Sequence, residues 1–292
     1  MKLNGLIVLD KISGITSRDA VNRIQGELPR KTKLGHTGTL DPLATGVLVL
    51  CVGIATRLAE YIQDLPKTYL SRFRLGVVSD TDDAAGIITE TDQPIVPTLE
   101  EIQEHLKGFV GEIEQTPPSY SAARIEGQRA YDRARRGQEV LLESRIVRVD
   151  HIEIGGYDFP YLDLKIHCGK GTYIRSIARD LGENLGIGAL VQTLHRSRIG
   201  HFTTEMAISE DTGRKLLIGS ILPVARAVEH LPGLRVDEAI LIEFQHGQFV
   251  PLPAGVSYSA GVEIAIHDQE GELFAIAQVD HQGMLRPTKV LR

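Results

Sequence analysis

The chain has 292 residues, 42% hydrophobic and 24% charged, with a formal net charge of -6. That makeup excludes a disordered, collagen-like or coiled-coil chain, and the length suggests roughly two domains of about 150 residues with cores that need no metal or disulfide staple. Its two cysteines, Cys51 and Cys168, form no CxxC pair, which excludes a cysteine zinc cluster and points to a reducing, cytoplasmic compartment.

Residues 5–9 are apolar and β-rich, so the chain opens on a strand; no signal-peptide cleavage region follows. No run reaches the ~18 apolar residues a membrane span needs. Thr16 or Ser17 caps a helix carried by Val21, Ile24 and Leu28, and Pro29 stops it. A glycine-rich segment, 35–46, runs into the continuous apolar stretch 47–52, which predicts a strand buried on both faces. A helix is expected over 56–64, a strand over 67–77 and a helix over 98–107. Pro117-Pro118 breaks the pattern, and 127–136, with Arg129, Arg133, Arg135 and Arg136, reads as a basic helix. Strands at 141–154 and 161–168 precede a turn at 169–172 and a helix over 173–184, stopped at Gly186. After about residue 235, short apolar runs at 262–266 and 273–279 alternate with turns and read as a small β-rich domain.

Charge is unevenly spread. Residues 1–75 hold 11 Lys and Arg against 6 Asp and Glu, whereas 76–105 hold none against 8. An acidic protein can still bind a polyanion on one basic face, because screening limits distant acids to about 8–10 Å.

Two segments stand out chemically. In Gly35-His36-Thr37-Gly38-Thr39-Leu40-Asp41-Pro42-Leu43-Ala44-Thr45-Gly46, one carboxylate sits on a loop before a buried strand, and Pro42 pushes Asp41 away from helical backbone. Asp41 could be a nucleophile, a general base or a metal ligand, or could simply stabilise its loop as an Asx turn. In 170–182, Arg175 and Arg179 share one face of the helix. An arginine in a first turn opposes the helix dipole, which suggests a paired anion, although surface arginines on an amphipathic helix explain the pattern as well. Asp80, Asp82 and Asp83 read as an exposed acidic turn rather than a cation site, since the EF-hand spacing is not followed. No GxGxxG, GxSxG or HExxH is present, and the 10 histidines lack metal-ligand spacing.

The segment around Asp41 resembles the catalytic motif of the TruB family of tRNA pseudouridine synthases. Leu9-Asp10-Lys11-Ile12-Ser13-Gly14, Lys67-Thr68-Tyr69, Asp80-Thr81-Asp82, Gln115-Thr116-Pro117-Pro118-Ser119-Tyr120-Ser121-Ala122, the stretch 169–182 and Arg196-Ser197-Arg198-Ile199-Gly200 resemble the same family in the same order. The likeness covers nearly all of 1–205 and is weaker beyond. It implies an α+β fold: a pseudouridine-synthase-like catalytic domain, 1–234, around a mixed, largely antiparallel sheet, then a small PUA-like RNA-binding domain, 235–292. An RNA-clamping insertion would occupy about 117–147.

The activity implied is isomerisation of uridine 55 in the tRNA T-loop, without metal or cofactor, by a cytoplasmic monomer that binds the T-stem-loop. Asp41 would add to the uracil ring or assist departure of the base, Tyr69 would stack under the flipped base and act in proton removal, and Arg175 would pair with Asp41. His36 would help extrude the target. Lys11, Tyr173 and Leu194 would serve the pocket; Lys170, Arg129 and Arg133 would meet RNA. The acidic 76–105 segment should face away from the phosphates. Two other readings use the same residues: a non-catalytic tRNA-binding or folding protein, and a metal-assisted phosphate-ester hydrolase using Asp41 with the acidic cluster.

Overall fold

The computed structural model describes residues 3–92, 95–121, 124–125, 128–129, 136, 142–253 and 255–291. In chain order the strands of the first part are β1 (Gly5–Lys11), β2 (Leu34–His36), β3 (Thr45–Val52), β4 (Lys67–Leu75), β5 (Val77–Ser79), β6 (Ile88–Glu90), β7 (Gly111–Gln115), β8 (Arg124–Ile125), β9 (Gln128–Arg129), β10 (Arg145–Asp158), β11 (Tyr161–Cys168), β12 (Ala189–Ile199), β13 (Phe202–Thr203) and β14 (Ile208–Ser209). Between them lie helices α1 (Ser17–Glu27), α2 (Ala59–Asp64), α3 (Leu99–Lys107) and α4 (Ile174–Asn184).

Among the described residues a ten-stranded sheet runs in the order β14-β1-β3-β12-β4-β11-β10-β7, with β2 on β3 and β13 on β12. The pairs β1–β14 and β3–β12 are parallel and the rest antiparallel. The sheet is mixed and largely antiparallel, as expected. Strand β3 is apolar along its length because it lies mid-sheet with a core on each face: Leu48 and Leu50 point to one, Val47 and Val49 to the other. Helix α1 starts where Thr16 and Asp19 form a capping box, and it buries Ala20, Val21 and Ile24.

The C-terminal part is a five-stranded sheet, ordered β15-β17-β18-β19-β16, with α5 (Arg214–Gly219) before it and α6 (Glu238–Gln245) on it. Here β15 is Gly233–Arg235, β16 Val250–Pro251, β17 Glu263–His267, β18 Leu273–Val279 and β19 Met284–Val290. A core of its own gathers Phe244, Ile264, Ile266 and Phe274. Among the described residues no helix is long and apolar enough to cross a membrane.

Two expectations change. Gln128–Arg129 is not helical: it pairs with Arg124–Ile125 in a short antiparallel hairpin, because local arginine content does not override strand pairing. The rest of 127–136 lies outside the described residues, apart from Arg136. Nor are Asp82 and Asp83 an exposed acidic turn. Their side chains are 17% and 7% exposed, turned inward by arginines on α4.

Candidate active site

A cleft of about 570 Å³ opens between the loop 37–41 and the turn 169–173, floored by β4 and β12. The loop is pinned from below. Ser17 Oγ accepts from Leu40 N–H at 2.8 Å and donates to Leu40 carbonyl at 3.0 Å. Lys11 Nζ donates to the carbonyls of Ile12, Pro42 and Ala44 at 2.8, 3.3 and 2.7 Å. At the loop's far end Gly46 has φ +98°, and a Cβ there would lie 2.3 Å from the Arg196 carbonyl. Only glycine permits that crossing of β3 and β12.

So held, Asp41 points at α4. Its Oδ2 lies 2.8 Å from Arg175 Nε, with the Asp41 side chain 28% exposed on the cleft and that of Arg175 only 4%. The same nitrogen is 3.8 Å from Asp83 Oδ2. The other arms of Arg175 donate to the carbonyls of Thr81 and Tyr120, both at 2.9 Å. One guanidinium is thus held by two hydrogen bonds to carbonyls and by two carboxylates beside its Nε, and the anion expected beside this first-turn arginine is Asp41. Next to it, Arg179 Nη1 lies 3.3 Å from Asp82 Oδ2; burial nevertheless pushes the Asp82 carboxyl up, against the pull of Arg179 and Arg175.

Register brings the floor together. Tyr69 on β4 faces Arg196 on β12, and Ser71 faces Leu194, so one face carries Tyr69, Leu194 and Arg196. Arg196 is 2% exposed and donates to the carbonyls of Val47 and Gly38 at 2.8 and 3.1 Å. Burial pushes the Tyr69 hydroxyl up, while the nearby Arg196 charge pulls it down. Tyr173 forms the opposite wall. Its N–H donates to Gln115 Oε1 at 2.7 Å, its carbonyl accepts from Gln115 Nε2 at 3.0 Å, and the Arg145 guanidinium lies 4.9 Å above its ring.

The family model described as "TruB family pseudouridylate synthase (N terminal domain)" matches residues 27–174, and that of the tRNA pseudouridylate synthase B C-terminal domain matches 175–228. The chain belongs to the TruB family. A tRNA pseudouridine synthase B of Stutzerimonas stutzeri is 36% identical over 298 residues, spanning 99% of this chain and 96% of that protein. One of Clostridium tetani is 39% identical over 237 residues, 81% of this chain and 82% of the relative. Among solved structures, a Cbf5-Nop10-Gar1 complex has a chain at TM-score 0.73 and 28% identity, covering 99% of this chain and 85% of that one. An H/ACA RNP bound to a substrate RNA containing 2'-deoxyuridine also gives 0.73, at 26% identity, with the same coverage.

In this TruB-family chain, Asp41, Tyr69, Tyr173, Leu194 and Lys170 all line the cleft, with Arg175 behind Asp41. Lys170 stands at the rim, its Nζ 2.6 Å from Asp64 Oδ1. Lys11 does not line the cleft: it is fully buried beneath the loop and acts on the loop's carbonyls. His36 ends β2, one residue before the lining begins at Thr37. Of Arg129 only the backbone is described, and Arg133 lies outside the described residues. The acidic segment does not turn wholly away, since Asp82 and Asp83 sit behind the cleft on Arg179 and Arg175.

Sequence reasoning gave no site role to Arg196, Lys67, Gln115 or Arg145, and it read Asp83 as part of an exposed acidic turn. Arg196 had a legible signal, two residues after Leu194 in a strand whose alternate positions are buried. The partners of Asp83 and Gln115 had no local signal, because each lies distant in the chain.

Proposed function

We propose that this chain isomerises uridine to pseudouridine at position 55 in the T-loop of tRNA, with Asp41 as the nucleophile. The observation that carries this reading is the carboxylate of Asp41, braced by Arg175 and sharing one cleft with Tyr69. Isomerisation breaks the ribose C1'–N1 bond and makes a C1'–C5 bond; the C5 proton leaves and N1 gains one. No electron is transferred, so the chemistry asks for a nucleophile, a proton path and a wall that holds the detached ring.

Each need has a candidate. Asp41, partly open to the cleft, adds to the uracil ring or to the ribose carbon as the base departs. The target base must first be flipped out, at a cost of a few kcal/mol, and stacking on Tyr69 returns about 1–3 kcal/mol. The Tyr69 hydroxyl, pushed up by burial and pulled down by the Arg196 charge, stands in the cleft as the candidate group for removing the C5 proton. Leu194 and Tyr173 hold the ring from the sides.

T-stem-loop RNA fits this arrangement because sequence-specific RNA recognition favours loops whose bases can be splayed out. Lys170 at the rim would meet a phosphate, and the insertion of about 117–147, with Arg129 and Arg133, would close over the loop. His36, at the loop's entry, would help extrude the base. The 235–292 unit would add RNA contact as a PUA-like domain, and the chain would act as a monomer in the cytoplasm, where its substrate is.

Incubating the protein with an unmodified T-stem-loop and mapping pseudouridine chemically tests the reading. Product at the position equivalent to 55, lost in Asp41→Asn with RNA binding kept within a few-fold, is the expected result. Product formation by Asp41→Asn at the wild-type rate overturns the role of Asp41.

A further inference from the structure

The C-terminal sheet reaches the cleft through one short helix. Within α2, the Tyr61 hydroxyl donates to Glu263 Oε1 at 2.9 Å, Glu263 being the first residue of β17. Beside it, Lys289 Nζ on β19 lies 2.8 Å from Glu60 Oε1. One turn earlier, Arg57 donates to the Val290 carbonyl at 2.5 Å.

The other end of α2 faces the cleft. Asp64 Oδ1 holds Lys170 Nζ at 2.6 Å, and Lys67 donates to the carbonyls of Gln63 and Leu65, the latter at 2.6 Å. Gln63, Lys67 and Lys170 line the same cleft as Asp41 and Tyr69. Between the two ends, Tyr61 and Ile62 are buried in a core that joins Val47 and Val49 of β3 to Ala265, Ile276 and Leu291 of the C-terminal part.

Apolar contact in that core holds the two sheets together but does not fix their angle, because hydrophobic attraction is non-directional. A hydrogen bond fixes both distance and angle. Burial and the Glu263 carboxylate both push the Tyr61 hydroxyl up, so it remains a donor at neutral pH.

We propose that Tyr61 and Glu263 are positioning residues for the reaction: their hydrogen bond sets the C-terminal sheet against α2 and thereby places the buried Lys67 within the cleft and Lys170 at its rim. The proposal rests on reading the cleft as the RNA site. It makes the C-terminal sheet part of the cleft's frame as well as a surface for RNA.

Tyr61→Phe, Glu263→Ala and Glu263→Gln in the full chain test it, with two readouts. One is steady-state pseudouridine formation on a T-stem-loop. The other is acetylation of Lys67 and Lys170 by acetic anhydride at pH 8, read by mass spectrometry against the exposed Lys215. Tyr61→Phe and Glu263→Ala are expected to lower kcat/KM about three- to tenfold, chiefly through KM, as loss of one hydrogen bond predicts. In both variants, acetylation of Lys67 and Lys170 relative to Lys215 should rise by at least about twofold, the lower end of such an effect. Glu263→Gln, whose amide oxygen still accepts, should match wild type in both readouts. Unmoved acetylation overturns the proposal whatever the kinetics, as does altered acetylation with wild-type kinetics or a Gln variant as impaired as Ala. A wild-type chain that makes no pseudouridine overturns the functional reading, whereas an active wild type with unaffected variants overturns this proposal alone.

Discussion

Arg175 Nε stands 2.8 Å from Asp41 Oδ2 and 3.8 Å from Asp83 Oδ2, so one buried guanidinium serves a carboxylate that faces the cleft and another that does not. The arrangement fixes the direction of Asp41. It also makes Arg175 costly to replace, because both carboxylates depend on it.

Arg175→Ala leaves Asp41 and Asp83 without their shared cation, at a cost of about 3–5 kcal/mol. Arg175→Lys keeps the charge but loses the fork that reaches the Thr81 and Tyr120 carbonyls. Both variants are expected to lose product formation by at least about a hundredfold, the penalty for misplacing a reacting group. Single-turnover kinetics on T-stem-loop RNA check this; a lysine variant near the wild-type rate contradicts it.

Activity should survive EDTA when the RNA is folded beforehand. Asp82 and Asp83 are engaged by Arg179 and Arg175, so a divalent ion would have to compete with two fixed guanidinium groups. Loss of turnover on chelation, restored by a divalent ion with the RNA fold unchanged, would point instead to metal-assisted chemistry at the acidic cluster.

Lys11 links loop geometry to pH. Burial lowers its amine from 10.5 to about 8, against the pull of Glu210 and Asp41. Between those values the unfolded chain binds more protons than the folded one, so this residue's contribution to stability rises with pH from about 8 to 10.5. Below about 8 the cost of burying the ammonium is present in full. Lys11→Met lacks that dependence and leaves three carbonyls without a donor, costing about 1–3 kcal/mol at neutral pH. Urea unfolding at pH 7.5 and 9.5 should show the gap between wild type and variant widening at the higher pH. An unchanged gap would mean the amine does not titrate in that range, and a narrowing one would mean that burial does not lower it.

Lys170 is solvent-accessible, and Asp64 alone does not tie down its three donors. If it meets a phosphate of the RNA, Lys170→Gln should weaken binding and reduce the slope of log K against log salt by about 0.7 to 0.9, the value of one phosphate contact. Titrations at several salt concentrations measure this. An unchanged slope would place Lys170 outside the RNA path and leave it as a partner of Asp64.

Local order was written in the sequence. A cap at Thr16 or Ser17, the helical spacing of Val21 and Ile24, the uninterrupted apolar run of β3 and the glycine-rich loop around Asp41 are legible because each depends on neighbours within a few residues. The helix dipole at Arg175 suggested a paired anion but fitted a surface arginine as well, and Asp41 was named only through the family resemblance as the partner of Arg175. Only the tertiary structure decided that Asp41 and Asp83 share it, that Arg196 lies beside Tyr69 through the register of β12 on β4, and that Lys11 supports the loop from beneath instead of facing the substrate. Pairing alone also put Gln128–Arg129 in a hairpin and turned Asp82 and Asp83 inward. Composition and periodicity report how a segment behaves in isolation, whereas burial and charge pairing arise between segments brought together only when the sheet forms.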